Sequence, residues 1–210
     1  MVPEMHMNCC KLIGVVVGVA SLGVVLGGCA GGGTKLASTS PEQDMQIYMQ
    51  SGMPGEMHKM MADGVGNWTT TNTMWMAPDA PPMVTKGSAV TKMSMDGRFA
   101  VTEVTSPMGE GMSMTGISTM GYDNVQKKFV GTWIDNMGSG IMQGVGTPSQ
   151  GGKRIEWVYT YSCPITNSQR TMREIHTRPD KDTLIIESFA KDPRTNKEMQ
   201  CMRMEAKRAS

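Results

Sequence analysis

Leucine, phenylalanine and histidine are all scarce in this chain. Beyond residue 36 there is one leucine, Leu184, and the whole sequence has three phenylalanines and three histidines. A chain of 210 residues with so few large apolar side chains must build its core from something else. That residue is methionine, present 24 times, a flexible apolar filler that adapts to irregular gaps. Charge of one sign is also missing. Lys and Arg number 20 against 19 Asp and Glu, with no basic patch, which excludes nucleic acid as a partner. No H-E-x-x-H, G-x-S-x-G, C-x-x-C or P-loop pattern is present, which excludes the sites those patterns build. No apolar run reaches the roughly 20 residues that a membrane-spanning helix requires.

The longest apolar run present is Leu12 to Leu26, 15 residues preceded by Lys11 and followed by Gly27, Gly28 and Cys29. A basic residue, a short apolar stretch and small residues in that order read as an export signal. The quartet Leu26-Gly27-Gly28-Cys29 resembles a bacterial lipobox. The resemblance implies a cleaved leader over 1–28, lipid attached at Cys29, and a protein held to the cell envelope by that lipid. Several acyl chains make such an anchor stable where one gives only marginal binding. Ala30 follows the cysteine, and similarity to enteric lipoproteins then implies the outer membrane, facing the periplasm. Loss of Glu4 and Lys11 with the leader leaves the net charge at +1.

Residues 29–40 read as the lipidated Cys29 and a flexible tether rich in Gly and small residues. A short helical lead-in follows over 41–64. Ser40 caps, Pro41 suits the first helical position and Gln43 completes a capping box. Met45, Tyr48 and Met49 share one face of the first helix, and Met57, Met60 and Met61 one side of the second. From 65 to 210 no long helical period appears. About ten runs rich in Thr, Val, Ile and aromatics lie near 66–76, 83–95, 98–106, 112–120, 128–136, 140–147, 153–162, 168–178, 182–191 and 197–208. Turn residues such as Asp96-Gly97, Asp123-Asn124 and Gln150-Gly151-Gly152 separate them. Ile155, Trp157, Tyr159 and Tyr161 alternate with residues of the opposite face. This pattern predicts an all-β domain, an antiparallel up-and-down barrel that closes to remove its edges.

Two longer motifs carry a family resemblance. The segment Gly121-Tyr-Asp-Asn-Val-Gln-Lys-Lys-Phe-Val-Gly-Thr-Trp-Ile-Asp-Asn-Met-Gly-Ser-Gly-Ile-Met142, and Met74-Trp-Met-Ala-Pro-Asp-Ala-Pro-Pro-Met83, resemble bacterial domain-of-unknown-function family 1579. Gly64-Val65-Gly66-Asn67-Trp68 fits the same family. The resemblance spans about Pro41 to Arg208 and implies no catalytic residues, because the family's activity is not established. The chain departs from the family's pattern around Tyr161-Ser162-Cys163-Pro164 and in its methionine content. Gly66-Asn67-Trp68 also resembles the G-x-W opening of lipocalin-like barrels. That similarity implies a Trp68 packed across the barrel floor against a basic residue of a late strand. Arg203 or Arg208 is the candidate, with Arg203 taken as the partner.

The candidate chemistry is sparse. His176 lies two residues from Glu174 on one strand face, but one histidine without a nucleophile or further ligands makes no site. The expected function is therefore non-catalytic: binding of a small apolar ligand, without a cofactor, by Trp133, Trp157, Tyr159, Met112 and Met114 inside the barrel. A first alternative is Cu(I) binding by M-x-M pairs, Met74/Met76, Met93/Met95, Met112/Met114 and Met202/Met204, whose members point the same way on a strand and offer soft thioethers, with Met74, Met76, Met112 and Met114 as the candidate ligands. A second alternative is an envelope protein that acts through partner contact alone. Cys163 and Cys201 are the candidate disulfide of an oxidising compartment. Three strands separate them on one rim, about 14 Å along a regular sheet, which opposes the bridge.

Overall fold

The computed structural model describes residues 39–109 and 111–209. The expected leader, Cys29 and most of the tether lie outside the described residues. Ser40–Ser210 forms one compact unit. Within it, α1 covers Pro41–Ser51 and α2 covers Glu56–Ala62. Ser40 caps α1 with the reciprocal Gln43 box, and Pro41 opens its first turn. Ten strands follow: β1 Gly66–Met74, β2 Met83–Ser94, β3 Phe99–Gly109, β4 Met112–Asp123, β5 Lys128–Asp135, β6 Met142–Ser149, β7 Arg154–Cys163, β8 Ser168–Asp180, β9 Thr183–Lys191 and β10 Glu198–Arg208.

Each strand pairs antiparallel with its neighbours in sequence, and β1 pairs β10 to close an up-and-down barrel. Closure leaves no free edge for another chain to extend. Alternation puts Trp68, Thr70 and Asn72 of β1 inside and Asn67 and Thr69 outside. The ladder is irregular at two of the prolines within strands. The β3–β4 register shifts between Pro107 and Gly109, and the β8–β9 register between Thr177 and Asp180, around Pro179. Proline has no N–H to give a ladder, so it marks such breaks.

The interior of the β4–β6 wall carries glycine where bulky rings of neighbouring strands need room. A Cβ on Gly144 would run into the Tyr159 ring, and one on Gly146 would sit 2.8 Å from Trp157. The aromatics of β7 lie flat across β6 for this reason. One core cluster joins Phe129, Ile155, Trp157, Tyr159 and Ala100 to Met61 of α2, which is fully buried. A second joins Trp68, Ala89, Val104 and Ala206.

Helix α2 lies against β3 and β4 and covers the end of the barrel where β1 begins and β10 finishes. Trp68 forms the floor there, its Nε1 donating to the Gly64 carbonyl at 3.0 Å. The arginine over its ring is Arg208, 4.4 Å from the centroid, and not Arg203. Arg203 instead meets Glu205 two residues along the same strand face. The register decides this: Trp68 stands opposite Arg208, while Arg203 stands opposite Thr73. The candidate disulfide is likewise absent, because Cys163 and Cys201 are both free thiols. Cys201 falls at the β9–β10 register shift and donates to the Ser188 carbonyl at 3.3 Å. Thr166 hydrogen bonds lower the Cys163 pKa, whereas burial raises that of Cys201 and the Glu174 charge adds to it.

Candidate functional site

The two core clusters do not fill the barrel. A cavity of about 380 Å³ lies within it, and nine of its lining residues are methionines. The sulfurs come from both helical and strand elements: Met60 and Met61 from α2, Met114 and Met120 from β4, Met202 and Met204 from β10. Methionine suits this place because its three rotatable bonds let one wall accept ligands of different outline. The wall between β10 and β4, made by β1, β2 and β3, is hydroxylic. Asn72 Nδ2 donates to Thr70 and Ser106 at 3.3 Å each, Thr85 meets Ser106 at 2.9 Å, and Thr91 meets Thr102 at 2.8 Å. These groups satisfy one another, so that wall presents bonded polar atoms to the cavity.

The residues singled out from sequence fall in different places. Met114, Trp133 and Tyr159 line the cavity. Trp133 is held there by its Nε1, which donates to Asp135 Oδ2 at 2.7 Å. Trp157 does not line it: it is 1% exposed, packed between Phe129 and Tyr159. Met112 is 59% exposed at the first position of β4 and does not line the cavity. Met76 is exposed beyond the end of β1, while Met74 on the strand lines the cavity. Met76 lies beyond the end of β1, so alternation does not carry from Met74 to it, and Met112 shares β4 with Met114 but stands at its exposed end, outside the cavity. Met202 and Met204 both line the cavity.

Two features of the wall went unread in sequence. The first is a buried polar trio. Glu174, 8% exposed, takes the Ser188 hydroxyl on Oε2 at 2.7 Å and has His176 Nε2 at 2.6 Å from Oε1. A carboxylate only accepts, so Nε2 carries the proton facing it. Glu174 stands between the hydroxyl and the imidazole, and the hydroxyl donates to the carboxylate. His176 therefore does not face Ser188 as a base in the manner of an activated serine. Burial raises the Tyr159 pKa, and the Glu174 charge pushes it the same way, so its phenol stays protonated. Glu174 and His176 were visible as a pair in sequence, but Ser188 joins them only through the β8–β9 register. The second feature is Arg178, a half-buried guanidinium at the end of the cavity nearest Gly64 and Trp68. Among the described residues no cluster of His, Cys, Asp and Glu is arranged to hold a metal ion.

A family model described as "Protein of unknown function (DUF1579)" matches residues 53–208. No curated protein matches the chain. The crystal structure of Rv2717c from M. tuberculosis is similar at a TM-score of 0.57 and 13% identity, covering 75% of this chain and all of that one. At that identity the likeness is one of fold. A redesigned β-barrel, b11L5F_LGL, covers 71% of this chain and 95% of its own at 9% identity and a TM-score of 0.41, and no argument rests on it.

Proposed function

The chain belongs to the DUF1579 family of proteins of unknown function, and on that footing we propose that it is a non-catalytic binding barrel for a small, mostly apolar ligand. The observation that carries this reading is the methionine-lined cavity of about 380 Å³, within the range of small-molecule sites. A core built only for stability is packed without voids of that size. The reading extends to the whole chain: lipid at Cys29 holds the barrel to a membrane of the bacterial envelope, probing the periplasm from the outer membrane.

The test is direct. A neutral, environment-sensitive apolar dye binds at about one per chain and quenches emission from Trp68 and Trp133, both of which line the cavity. Ser118 also lines it, next to Trp133 across the β4–β5 ladder. Ser118→Trp fills the space and lowers dye affinity by about tenfold or more, with an unchanged far-UV spectrum. Equal dye binding by wild type and this variant sends the reading back to an external surface.

A second reading is favoured by one cross-strand contact. Met74 stands opposite Met202 on β1 and β10, and Met202 stands opposite Ser188, whose carbonyl takes the Cys201 thiol. Three soft sulfur groups at one level suit Cu(I). A Cu(I) titration then shows one tight equivalent in wild type and its loss in Met74→Leu with Met202→Leu. Leucine keeps the apolar bulk and removes the sulfur. An unchanged titration removes copper from consideration.

A further inference from the structure

The carboxylates facing the cavity are matched by partners of their own. Both oxygens of Glu174 are taken, by Ser188 and His176. Both oxygens of Asp135 are taken, Oδ2 by Trp133 Nε1 and Oδ1 by the Met137 and Gly138 amides. The Tyr159 and Ser118 hydroxyls and the exposed Lys153 ammonium have no partner among the described residues, and Arg178 is the half-buried cation of the wall. Its backbone N–H donates to the Lys153 carbonyl at 2.8 Å, but among the described residues its guanidinium has no acceptor within hydrogen-bond reach. Asp63 acts on it only through space, and the Arg208 charge nearby opposes it. A guanidinium stays charged under any ordinary condition and offers five N–H groups in a fixed fork.

The surroundings define what would complete it. Gly64 leaves the room that one end of the guanidinium uses, since a Cβ there would lie 2.5 Å from Arg178 Nη2. Met60, Met61, Trp68 and Leu184 make most of that end apolar, and Lys153 lies beside Arg178 there. A planar anion of two oxygens matches the fork, and the bond is stronger in such surroundings than in water. Beyond that end the cavity continues between methionines, which suits a flexible apolar chain. An amine is the poorer match, because both carboxylates that would receive it already hold donors.

We infer that the cavity takes a carboxylate on an apolar chain, with the carboxylate on Arg178 at the closed end and the chain among the methionines. This rests on the binding-barrel reading above and specifies its ligand class. Arg178 is a binding residue in this scheme, and Gly64 positions it.

Calorimetry with the Ser40–Ser210 unit, which holds every strand pairing and both core clusters, tests it with three ten-carbon probes: decanoate, decanol and decylamine. Wild type binds decanoate at one per chain, about tenfold or more tighter than decanol, with decylamine weakest, as one charge-assisted contact predicts. Arg178→Met brings decanoate down to the affinity of decanol, and Arg178→Lys retains part of the preference. Gly64→Ala displaces the guanidinium and reduces the preference with the arginine still present, so the inference remains testable even if Arg178→Met fails to fold. Equal binding of decanoate and decanol by wild type overturns the inference and leaves the apolar cavity standing. A decanoate preference that survives Arg178→Met overturns it as well. If none of the three probes binds, the inference falls together with the binding-barrel reading.

Discussion

Arg208 donates from its guanidinium to Asp182 Oδ1 and to the carbonyls of Val65, Asp63 and Lys181 while lying over the Trp68 ring. One side chain thus ties the last strand to the first strand, to the β8–β9 turn and to the end of α2. Arg208→Ala should lower unfolding stability by about 2–3 kcal/mol, because charged hydrogen bonds and the stacking contact are lost together. Arg203→Ala should stay within about 0.5 kcal/mol, since Arg203 pairs only with Glu205 on a solvated face. Urea denaturation of the two variants separates them, and equal losses would remove Arg208 from its role at the floor. The sequence offered both arginines as candidates. Choosing between them needs the β1–β10 register, which two residues of the same type five positions apart do not encode.

At the scale of elements, α2 depends on a histidine in an unusual post. His58 is 5% exposed, its Nδ1 accepts the Gly55 amide at 3.0 Å, and its ring meets Tyr122 edge-on. Burial lowers its pKa, and the Arg98 charge pushes the same way. The sign follows from linkage. With the folded pKa below the unfolded value near 6.5, the unfolded chain binds the extra proton first, so stability falls as pH drops below about 7. Protonation at Nδ1 also removes the acceptor that Gly55 uses. Asp123 and Asp192, whose pKa values are lowered chiefly by backbone N–H bonds, lose their contribution only in the lower carboxylate range. His58→Asn keeps a side-chain acceptor and cannot titrate. Its stability between pH 7 and 5 should therefore be flatter than that of wild type in a denaturant series, and parallel slopes would contradict the assignment. Helix α1 contrasts with α2. It buries no residue and is fastened by its C-terminal end, through Arg98 to Gly52 and Asn124 to Ser51 and Met53. The strands were legible at this scale, because alternation and turn residues are local. β4 extends past Gly121 to Asp123, and β8 through Pro179, beyond the expected runs. Both extensions are tertiary: Tyr122 pairs with Phe129 of β5, and Asp180 pairs with Thr183 after a register shift.

For the whole molecule, the anchor and the cavity make separable predictions. Cys29→Ser should abolish lipid attachment and move the protein from the detergent phase to the aqueous phase, with a mature mass lacking acyl chains. Identical partitioning and mass would refute the lipobox reading. Oxidation provides a second check on the cavity. Converting the cavity methionines to sulfoxides makes the wall polar, so mild peroxide treatment should weaken apolar dye binding, and methionine sulfoxide reductase should restore it. Dye binding indifferent to oxidation would place the dye away from the sulfurs.

Strand number, the barrel class, the helical lead-in motifs and the methionine-built interior could be read from the chain alone, because each rests on spacing of 2 or 3.6 residues or on composition. Which methionines line the cavity could not be read, because the strand ends decide where alternation stops. Nor could the meeting of Ser188 with Glu174, or the unanswered guanidinium of Arg178, since both depend on residues from different elements brought to one wall. The floor, the free thiols and the cavity belong to the closed barrel. Only closure sets β10 beside β1 and stands Arg208 over Trp68, while the β9–β10 register shift turns Cys201 toward Ser188.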